Sequence, residues 1–140
     1  MKKVVYIISI AIVAISIGIL LQTKNEANVA YHITLADSKL YNNGIFIDNF
    51  KIQKGTYQFS FVPNGDSPQN LSISLKGDHF SYNADFSLQG TLHKTGISSY
   101  YTWNYLDNKV IDISQDQDIQ IIINPHGNLL GSISVDLIKI

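Results

Sequence analysis

The sequence predicts an all-β domain, an antiparallel two-sheet β-sandwich or jelly roll of about 8–10 strands, carried behind one N-terminal transmembrane helix. Short stretches of alternating apolar and polar residues are separated by turn residues about every 8–12 positions. Alanine and glutamate, which favour helices, are almost absent after Ala36. Residues 4–21 form an uninterrupted apolar run, which predicts the membrane-spanning segment.

The apolar run divides the chain into an anchor (1–21), a polar linker (22–30) and a β domain (31–140). As a helix rising ~1.5 Å per residue, it would span ~27 Å, close to the thickness of a bilayer core. Lys2 and Lys3 precede it, which predicts a cytoplasmic N-terminus and a domain outside the cytoplasm at the cell membrane. The run exceeds the ~7–15 residues of a signal peptide and lacks a good small-residue cleavage site. An uncleaved signal-anchor is therefore favoured over a cleaved peptide, which would make the domain a secreted protein.

The first half of the domain is predicted from alternation and turn residues. Asn42-Asn43-Gly44 predicts a hairpin turn, because Asn and Gly tolerate the positive φ angles of tight turns. The clearest alternation places Tyr57, Phe59 and Phe61 on one face of a strand. The predicted extended segments are 31–35, 40–41, 45–48 and 50–52 (one kinked strand or two), 56–61 and 71–75.

The second half continues the pattern. Two weaker strands are expected around 80–82 and 86–92, with interruptions at 83–85 and at Gly90. The nearly continuous apolar run 119–123 predicts a strand buried on both faces or at the centre of a sheet. The other predicted strands are 97–106, which is rich in aromatic residues, 110–113 and 132–140, with 107–108 as a two-residue turn.

Three segments carry a resemblance to known extracytoplasmic modules. They are Gly55-Thr56-Tyr57-Gln58-Phe59, Leu71-Ser72-Ile73-Ser74-Leu75, and the last strand from Gly131 to Leu137. They make about two-thirds of the chain similar to GOLD-like domains, pre-peptidase C-terminal domains and jelly-roll carbohydrate-binding modules. The resemblance implies a binding or interaction role and assigns no functional residue.

The aromatic strand supplies the candidate ligand-binding residues. In an extended segment, Tyr101, Trp103 and Tyr105 share one face. A row of planar rings on a sheet can stack on the apolar C–H faces of sugar rings. The alternative is that these rings fill the interior of the sandwich, and the exposure of Trp103 distinguishes the two.

Two further candidate sites lie in loops or near strand ends. Asp116 and Asp118 offer carboxylate oxygens of the kind that calcium prefers, although aspartate is also a common turn residue and no twelve-residue calcium-loop pattern is present. Calcium is accordingly the one candidate cofactor. Asn70-Leu71-Ser72 is a glycosylation sequon, so Asn70 is a candidate acceptor.

The charge balance and the absence of certain motifs exclude several classes of partner and function. The residues after the apolar run include eight lysines, no arginine, ten aspartates and one glutamate, for a net charge of −3 with neutral histidines. This balance argues against nucleic acid as a partner. The chain has no cysteine, which rules out disulfides and a lipoprotein anchor. A cysteine-free exported domain of this size is typical of prokaryotes. No histidine pair has metal-binding spacing, and no catalytic motif is present, so the chain is predicted not to be an enzyme.

The sequence therefore predicts a non-catalytic binding or structural module that contacts membrane lipid through its helix and an envelope protein or glycan through its β domain. Three alternatives stay open: a pilin-like surface-assembly subunit, a carbohydrate-binding module and a secreted hydrolase. The pilin plan also joins an apolar helix to a β domain, but here no Gly or Ala junction precedes the run and no glutamate follows its start. A hydrolase would require a cleft with two facing aspartates.

Overall fold

The computed structural model describes residues 28–106 and 110–140. Nine strands run through these residues: β1 (Val29–Leu35), β2 (Phe46–Ile52), β3 (Gly55–Pro63), β4 (Asn70–Gly77), β5 (Phe80–Lys94), β6 (Ser99–Tyr105), β7 (Val110–Ile113), β8 (Gln117–Asn124) and β9 (Ile133–Lys139). A short 3-10 helix, Ser38–Leu40, follows β1 and is capped by the Asp37 side chain, which accepts a hydrogen bond from the Lys39 N–H (2.9 Å).

The strands form two antiparallel sheets, which confirms the prediction of an all-β domain. One sheet has the order β1-β9-β3-β7, and the other has the order β2-β8-β4-β5-β6. Alternation along each strand places one row of apolar side chains between the sheets, so the arrangement is that of a sandwich.

Aromatic rings join the two sheets at the centre. Phe59 on β3 meets Phe86 on β5 edge-on, with ring centroids 5.8 Å apart. Phe61 lies 4.9 Å from Phe86 and 5.1 Å from Tyr105 on β6. At the other side of the core, the Tyr31 hydroxyl donates a hydrogen bond to Asp48 Oδ2 across the sheets (3.0 Å). Because each of these contacts joins a residue of one sheet to a residue of the other, both sheets share one core.

Several local predictions are confirmed. Asn43 and Gly44 have φ angles of 51° and 84°, as the predicted tight turn requires, and Asn42 and Ile45 form an isolated bridge around them. Of the two alternatives predicted for 45–52, one kinked strand or two strands, the structure has a single strand, β2. The segment predicted as extended at 40–41 instead contributes Leu40 to the 3-10 helix.

One strand prediction was wrong in detail, and another is confirmed in one of its two alternatives. The expected interruptions at 83–85 and Gly90 do not exist, because β5 is one strand of 15 residues. Asn83, Ala84 and Asp85 pair in register with β4 rather than forming a turn. For the run 119–123, the alternative of a strand inside a sheet is confirmed, because β8 lies between β2 and β4. The strand buries one face only: Ile119, Ile121 and Ile123 are buried, whereas Ile122 is partly exposed.

The predicted anchor (1–21) and residues 22–27 of the predicted linker lie outside the described residues, as does the predicted turn at 107–108. Strand β1 begins at Val29, within the segment predicted as linker. Across residues 28–106 and 110–140, no helix is both long and apolar enough to cross a bilayer.

Ser67 is a buried polar residue in the loop between β3 and β4. Its Oγ donates to the Ser132 carbonyl oxygen (2.5 Å) and accepts from the Asn64 N–H (2.7 Å). Replacing Ser67 with alanine leaves both backbone groups without this partner and is expected to lower the free energy of unfolding by about 1–3 kcal/mol. Urea denaturation measures the loss.

The exposed Ser81 on β5 provides a matched control. Its replacement with alanine is expected to change the free energy of unfolding by less than about 0.5 kcal/mol. Equal effects of the two substitutions would contradict a structural role for the Ser67 hydrogen bonds.

Candidate functional site

The two ends of the sandwich differ in structure. We call the end at which Asn28 lies the proximal end and the opposite end the distal end. At the proximal end, the chain enters at Asn28, whose carbonyl oxygen accepts a hydrogen bond from the Lys139 N–H (2.7 Å). Strand β5 starts at this end, since Phe80 pairs with Gly77 and Gly77 adjoins the side chain of Gln117. At the distal end, the pairing of β5 with β4 stops at Ser87, but β5 continues for seven more residues.

That continuation forms a projecting hairpin, residues 88–105, which we call the arm. Within it, the second half of β5 pairs only with β6, over seven registered pairs from Leu88–Tyr105 to Lys94–Ser99. At ~3.3 Å per residue, the arm extends ~20 Å beyond the last β4 pair. Its turn is closed by the Thr95 N–H, which donates to the Ser98 carbonyl oxygen (2.7 Å), and Ile97 at the tip is fully exposed (100%).

The two faces of the arm differ in chemistry. Alternation places Gln89, Thr91, His93, Tyr100, Thr102 and Asn104 on one face, which is polar apart from the Tyr100 ring stacked on His93. The other face, which we call the arm face, continues the apolar inner face of the sandwich. It carries Leu88, Gly90, Leu92, Tyr101, Trp103 and Tyr105, and at the tip of the arm it ends in the polar pair Lys94 and Ser99.

Burial falls steadily along the arm face. Tyr105 at its base is 4% exposed, and its hydroxyl donates to the Pro68 carbonyl oxygen (2.5 Å). Trp103 is half-buried and packs against the core, whereas Tyr101 is 56% exposed and Leu92 is 42% exposed. The predicted set of three ligand-binding residues is therefore divided: Tyr105 fills the core and is withdrawn from any ligand, while Tyr101 and part of Trp103 face outward.

Gly90 shapes the exposed part of the arm face. A Cβ atom at this position would lie 2.8 Å from Cζ3 of Trp103, so only glycine lets the indole lie against the backbone of β5. The Tyr101 ring stacks beside the indole, with centroids 5.7 Å apart and planes 23° from parallel. The result is a nearly planar aromatic surface bordered by Leu92.

A cleft of about 600 Å³ lies at the proximal end between the two sheets. It holds both predicted calcium ligands, Asp116 and Asp118, together with Lys51 and Lys139. Lys51 is the register partner of Asp118 across β2 and β8. The cleft also borders Asn28, the first described residue of the chain.

The carboxylate of Asp116 has a structural task in this cleft. Its Oδ1 accepts a hydrogen bond from the Lys54 N–H (2.7 Å), which holds the turn between β2 and β3. Burial and, to a smaller extent, the nearby Asp116 carboxylate raise the pKa of Tyr57. Within the described ranges, no three His, Asp or Glu side chains lie close enough together to hold a metal ion. Calcium binding at Asp116 and Asp118 stays a prediction.

Asn70, the predicted glycosylation acceptor, is the first residue of β4 and is exposed. Its Oδ1 accepts a hydrogen bond from the Ser87 hydroxyl (3.2 Å) at the point where the arm leaves the sandwich. The side chain is thus on the surface, as a glycan requires, and its modification stays a prediction.

A cluster on the outer face of the larger sheet contains the residue types of a hydrolase. Ser72 Oγ lies 2.7 Å from His126 Nε2 and 2.5 Å from Asp85 Oδ1. In a nucleophilic triad the carboxylate holds the imidazole, which then accepts the serine proton. Here the Ser72 hydroxyl donates its hydrogen bond to the Asp85 carboxylate, so the carboxylate does not orient the histidine. The cluster therefore has the character of a surface hydrogen-bond network.

Sequence reasoning missed Gly90, Leu92 and Ile97 as members of the arm. The signal was present, because Leu88, Gly90 and Leu92 alternate on one side of the Thr95-Gly96 turn as the aromatic residues do on the other. Treating Gly90 as an interruption concealed that symmetry.

Comparisons with known proteins add little. No family model matches the chain, and no solved structure matches it. A 59-residue segment is 37% identical to a protein of Dictyostelium discoideum named UPF0538 protein. That segment covers 41% of this chain and 48% of the other protein, so the chain spans about half the length of the curated relative it matches.

Proposed function

We propose that this chain is a membrane-anchored, non-catalytic binding module whose β domain lies outside the cytoplasm and contacts a glycan or protein of the cell envelope. The apolar run at residues 4–21 and the lysines before it support the anchor and its orientation. The observation that carries a binding role is the arm face, where Tyr101, Leu92 and a smaller part of Trp103 are presented to solvent.

We further propose that the sandwich is a jelly roll with one added strand. Without β6, the sheets have the orders β1-β9-β3-β7 and β2-β8-β4-β5. In these orders β1 pairs with β9, β2 with β8, β3 with β7 and β4 with β5. The chain is thus paired like one long hairpin whose two halves are rolled up together, which is the pairing of a jelly roll. On this reading, β6 and the arm are additions to a framework that is complete without them.

The position of the arm supports a role in contact with distant partners. The arm projects from the distal end, and the chain enters at the proximal end. A domain held to a membrane by the residues before Asn28 would direct its arm away from the lipid surface. A ligand with apolar, flat surfaces suits the stacked rings, and the C–H faces of sugar rings have that character.

Replacing Tyr101 with alanine tests the arm face as the binding surface. The full chain in detergent would be applied to a glycan array, and crosslinked pull-down from native membranes would identify protein partners. Stacking of a nucleic-acid base on one aromatic ring contributes about 1–3 kcal/mol. Taking the same range for stacking on Tyr101, we expect the variant to lose about five- to 150-fold in affinity for a bound glycan or partner.

The matched control is Tyr100→Ala, because Tyr100 is the neighbouring residue on the opposite face and is similarly exposed (53% against 56%). This variant is expected to keep wild-type binding. Equal losses in both variants, or no loss in Tyr101→Ala, would show that binding occurs elsewhere on the domain.

A further inference from the structure

The four edge strands of the two sheets are protected to different degrees. An edge strand exposes unpaired backbone groups and is normally blocked by charges, irregular register or shortness. Strand β1 has a register shift between Val29 and Tyr31, and β2 carries Asp48 and Lys51. Strand β7 has four residues, one of which is Asp112.

Strand β6 has none of these protections. Its seven residues, SYYTWNY, include no charge, proline or glycine, and its register with β5 is regular throughout. Tyrosine, threonine and tryptophan are strong strand formers. Among the described strands, β6 is thus the edge best suited to accept another strand.

The pattern of β6 is also self-complementary. If a second β6 lies antiparallel to the first with Thr102 opposite Thr102, then Tyr101 faces Trp103 of the other copy, and Tyr100 faces Asn104. Aromatic pairs and threonine pairs stabilise antiparallel strands when they lie directly opposite. Like charges would oppose such pairing, and β6 has none.

We propose that β6 pairs with β6 of a second copy of this chain, across a twofold axis at Thr102, and joins two five-stranded sheets into one of ten strands. The interface is isologous, so it closes at the dimer. The arm faces of the two copies become one continuous apolar surface. This inference does not depend on the proposed ligand. The hydrogen bonds of the pairing come from the strand edge, and the Tyr101–Trp103 pairs on the arm face form between the two copies without a ligand.

The chain has no cysteine, so a single introduced cysteine reports one contact cleanly. Residues directly opposite in antiparallel strands have Cα atoms about 4.5–5.5 Å apart. That separation falls within the range of about 4.4–6.8 Å that disulfides span. The full-length Thr102→Cys variant, in detergent under mild oxidation, is therefore expected to form a disulfide-linked dimer in most of its molecules.

Two controls fix the register. Thr91 lies beside Thr102 on the same face, but it belongs to β5, one strand away from the edge. The Thr91→Cys variant is therefore expected to stay monomeric on a non-reducing gel. Asn104→Cys lies on the edge but ~13 Å from its own copy in the dimer, and is also expected not to crosslink. Crosslinking of all three variants alike would indicate random collision and overturn the proposal.

The oligomeric mass of the full chain in detergent gives an independent test. Light scattering is expected to show twice the mass of the chain, and Thr102→Lys, which sets like charges opposite each other, is expected to be monomeric. Thr91→Lys is expected to remain dimeric, and the melting temperatures of both variants check their folding. The proposal would be overturned if the wild-type chain stays monomeric at concentrations up to ~1 mM. Its association free energy would then be weaker than about 4 kcal/mol.

Discussion

Replacing Phe59 with alanine is expected to lower the free energy of unfolding by about 3–5 kcal/mol, the range for truncating a buried phenylalanine. Phe59 is 1% exposed and lies where the two sheets meet. Its ring contacts Phe86 edge-on and lies within 6.2 Å, centroid to centroid, of Tyr82. Alanine would leave a cavity that neighbouring strands cannot close, because both sheets are held in register by hydrogen bonds.

Urea or guanidinium denaturation of the wild-type and variant chains measures this loss. Val62→Ala is the matched control, since Val62 lies on the same strand and is 60% exposed. It is expected to cost less than about 0.5 kcal/mol. A loss below about 1 kcal/mol for Phe59→Ala would contradict the shared core of the two sheets.

Alkaline conditions are expected to destabilise the domain steeply. Burial raises the pKa of Tyr31, Tyr41, Tyr57 and Tyr105, and in Tyr31 the hydrogen bond to the Asp48 carboxylate adds to this effect. In the unfolded chain these phenols ionise near pH ~10, whereas in the folded domain they stay protonated to higher pH. The folded state therefore binds more protons above pH ~10, and stability is full below that pH and falls as pH rises through the folded pKa values.

Each such tyrosine contributes a slope of at most about 1.4 kcal/mol per pH unit, so four together contribute at most about 5 kcal/mol per pH unit. Denaturation at a series of pH values between ~9 and ~12 measures this slope. Tyr105→Phe removes one titrating phenol and is expected to reduce the slope by up to about 1.4 kcal/mol per pH unit. At neutral pH the same variant is expected to lose about 1 kcal/mol, because the hydrogen bond to the Pro68 carbonyl oxygen disappears. An unchanged alkaline slope would contradict the assigned burial of this hydroxyl.

Alternation along the chain was sufficient to predict most strands because each strand buries only one face. Tyr57, Phe59 and Phe61 were correctly placed on the inner side of β3, although Phe61 remains partly exposed. The apolar run of β8 correctly predicted a strand inside a sheet, but its alternative of burial on both faces fails because Ile122 lies on the outer face. Composition alone does not distinguish an outward isoleucine from a buried one.

Turn residues were the main source of error. Asn83 and Asp85 commonly mark turns, but here their neighbours across the sheet determine their conformation. Asp85 pairs with Ser72 in the sheet and accepts a hydrogen bond from its hydroxyl, so the aspartate belongs to the strand pairing and lies on an outer face. Long-range pairing of this kind leaves no mark in a local pattern.

The candidate site was only half predictable. The run of aromatic residues at 100–105 was visible in the sequence, and the shared face of Tyr101, Trp103 and Tyr105 followed from the strand period. The point where the sandwich ends was not visible, since it depends on where β4 stops pairing with β5. That one boundary makes Tyr105 a core residue and Tyr101 a surface residue.

The direction of β6 has a geometric consequence for the proposed dimer. The strand runs from the arm tip toward the sandwich, so antiparallel pairing sets the two sandwiches on opposite sides of the twofold axis. Thr102 pairs with Thr91, which lies eleven residues after the start of β5 at the proximal end. Each sandwich therefore extends ~36 Å from the twofold axis, and the two Asn28 residues would lie ~70 Å apart at opposite ends of the dimer. If the residues before Asn28 hold each chain in a membrane, as we propose, such a dimer would bridge two apposed membranes. Vesicles bearing the full chain should then cluster in a way that Thr102→Lys abolishes.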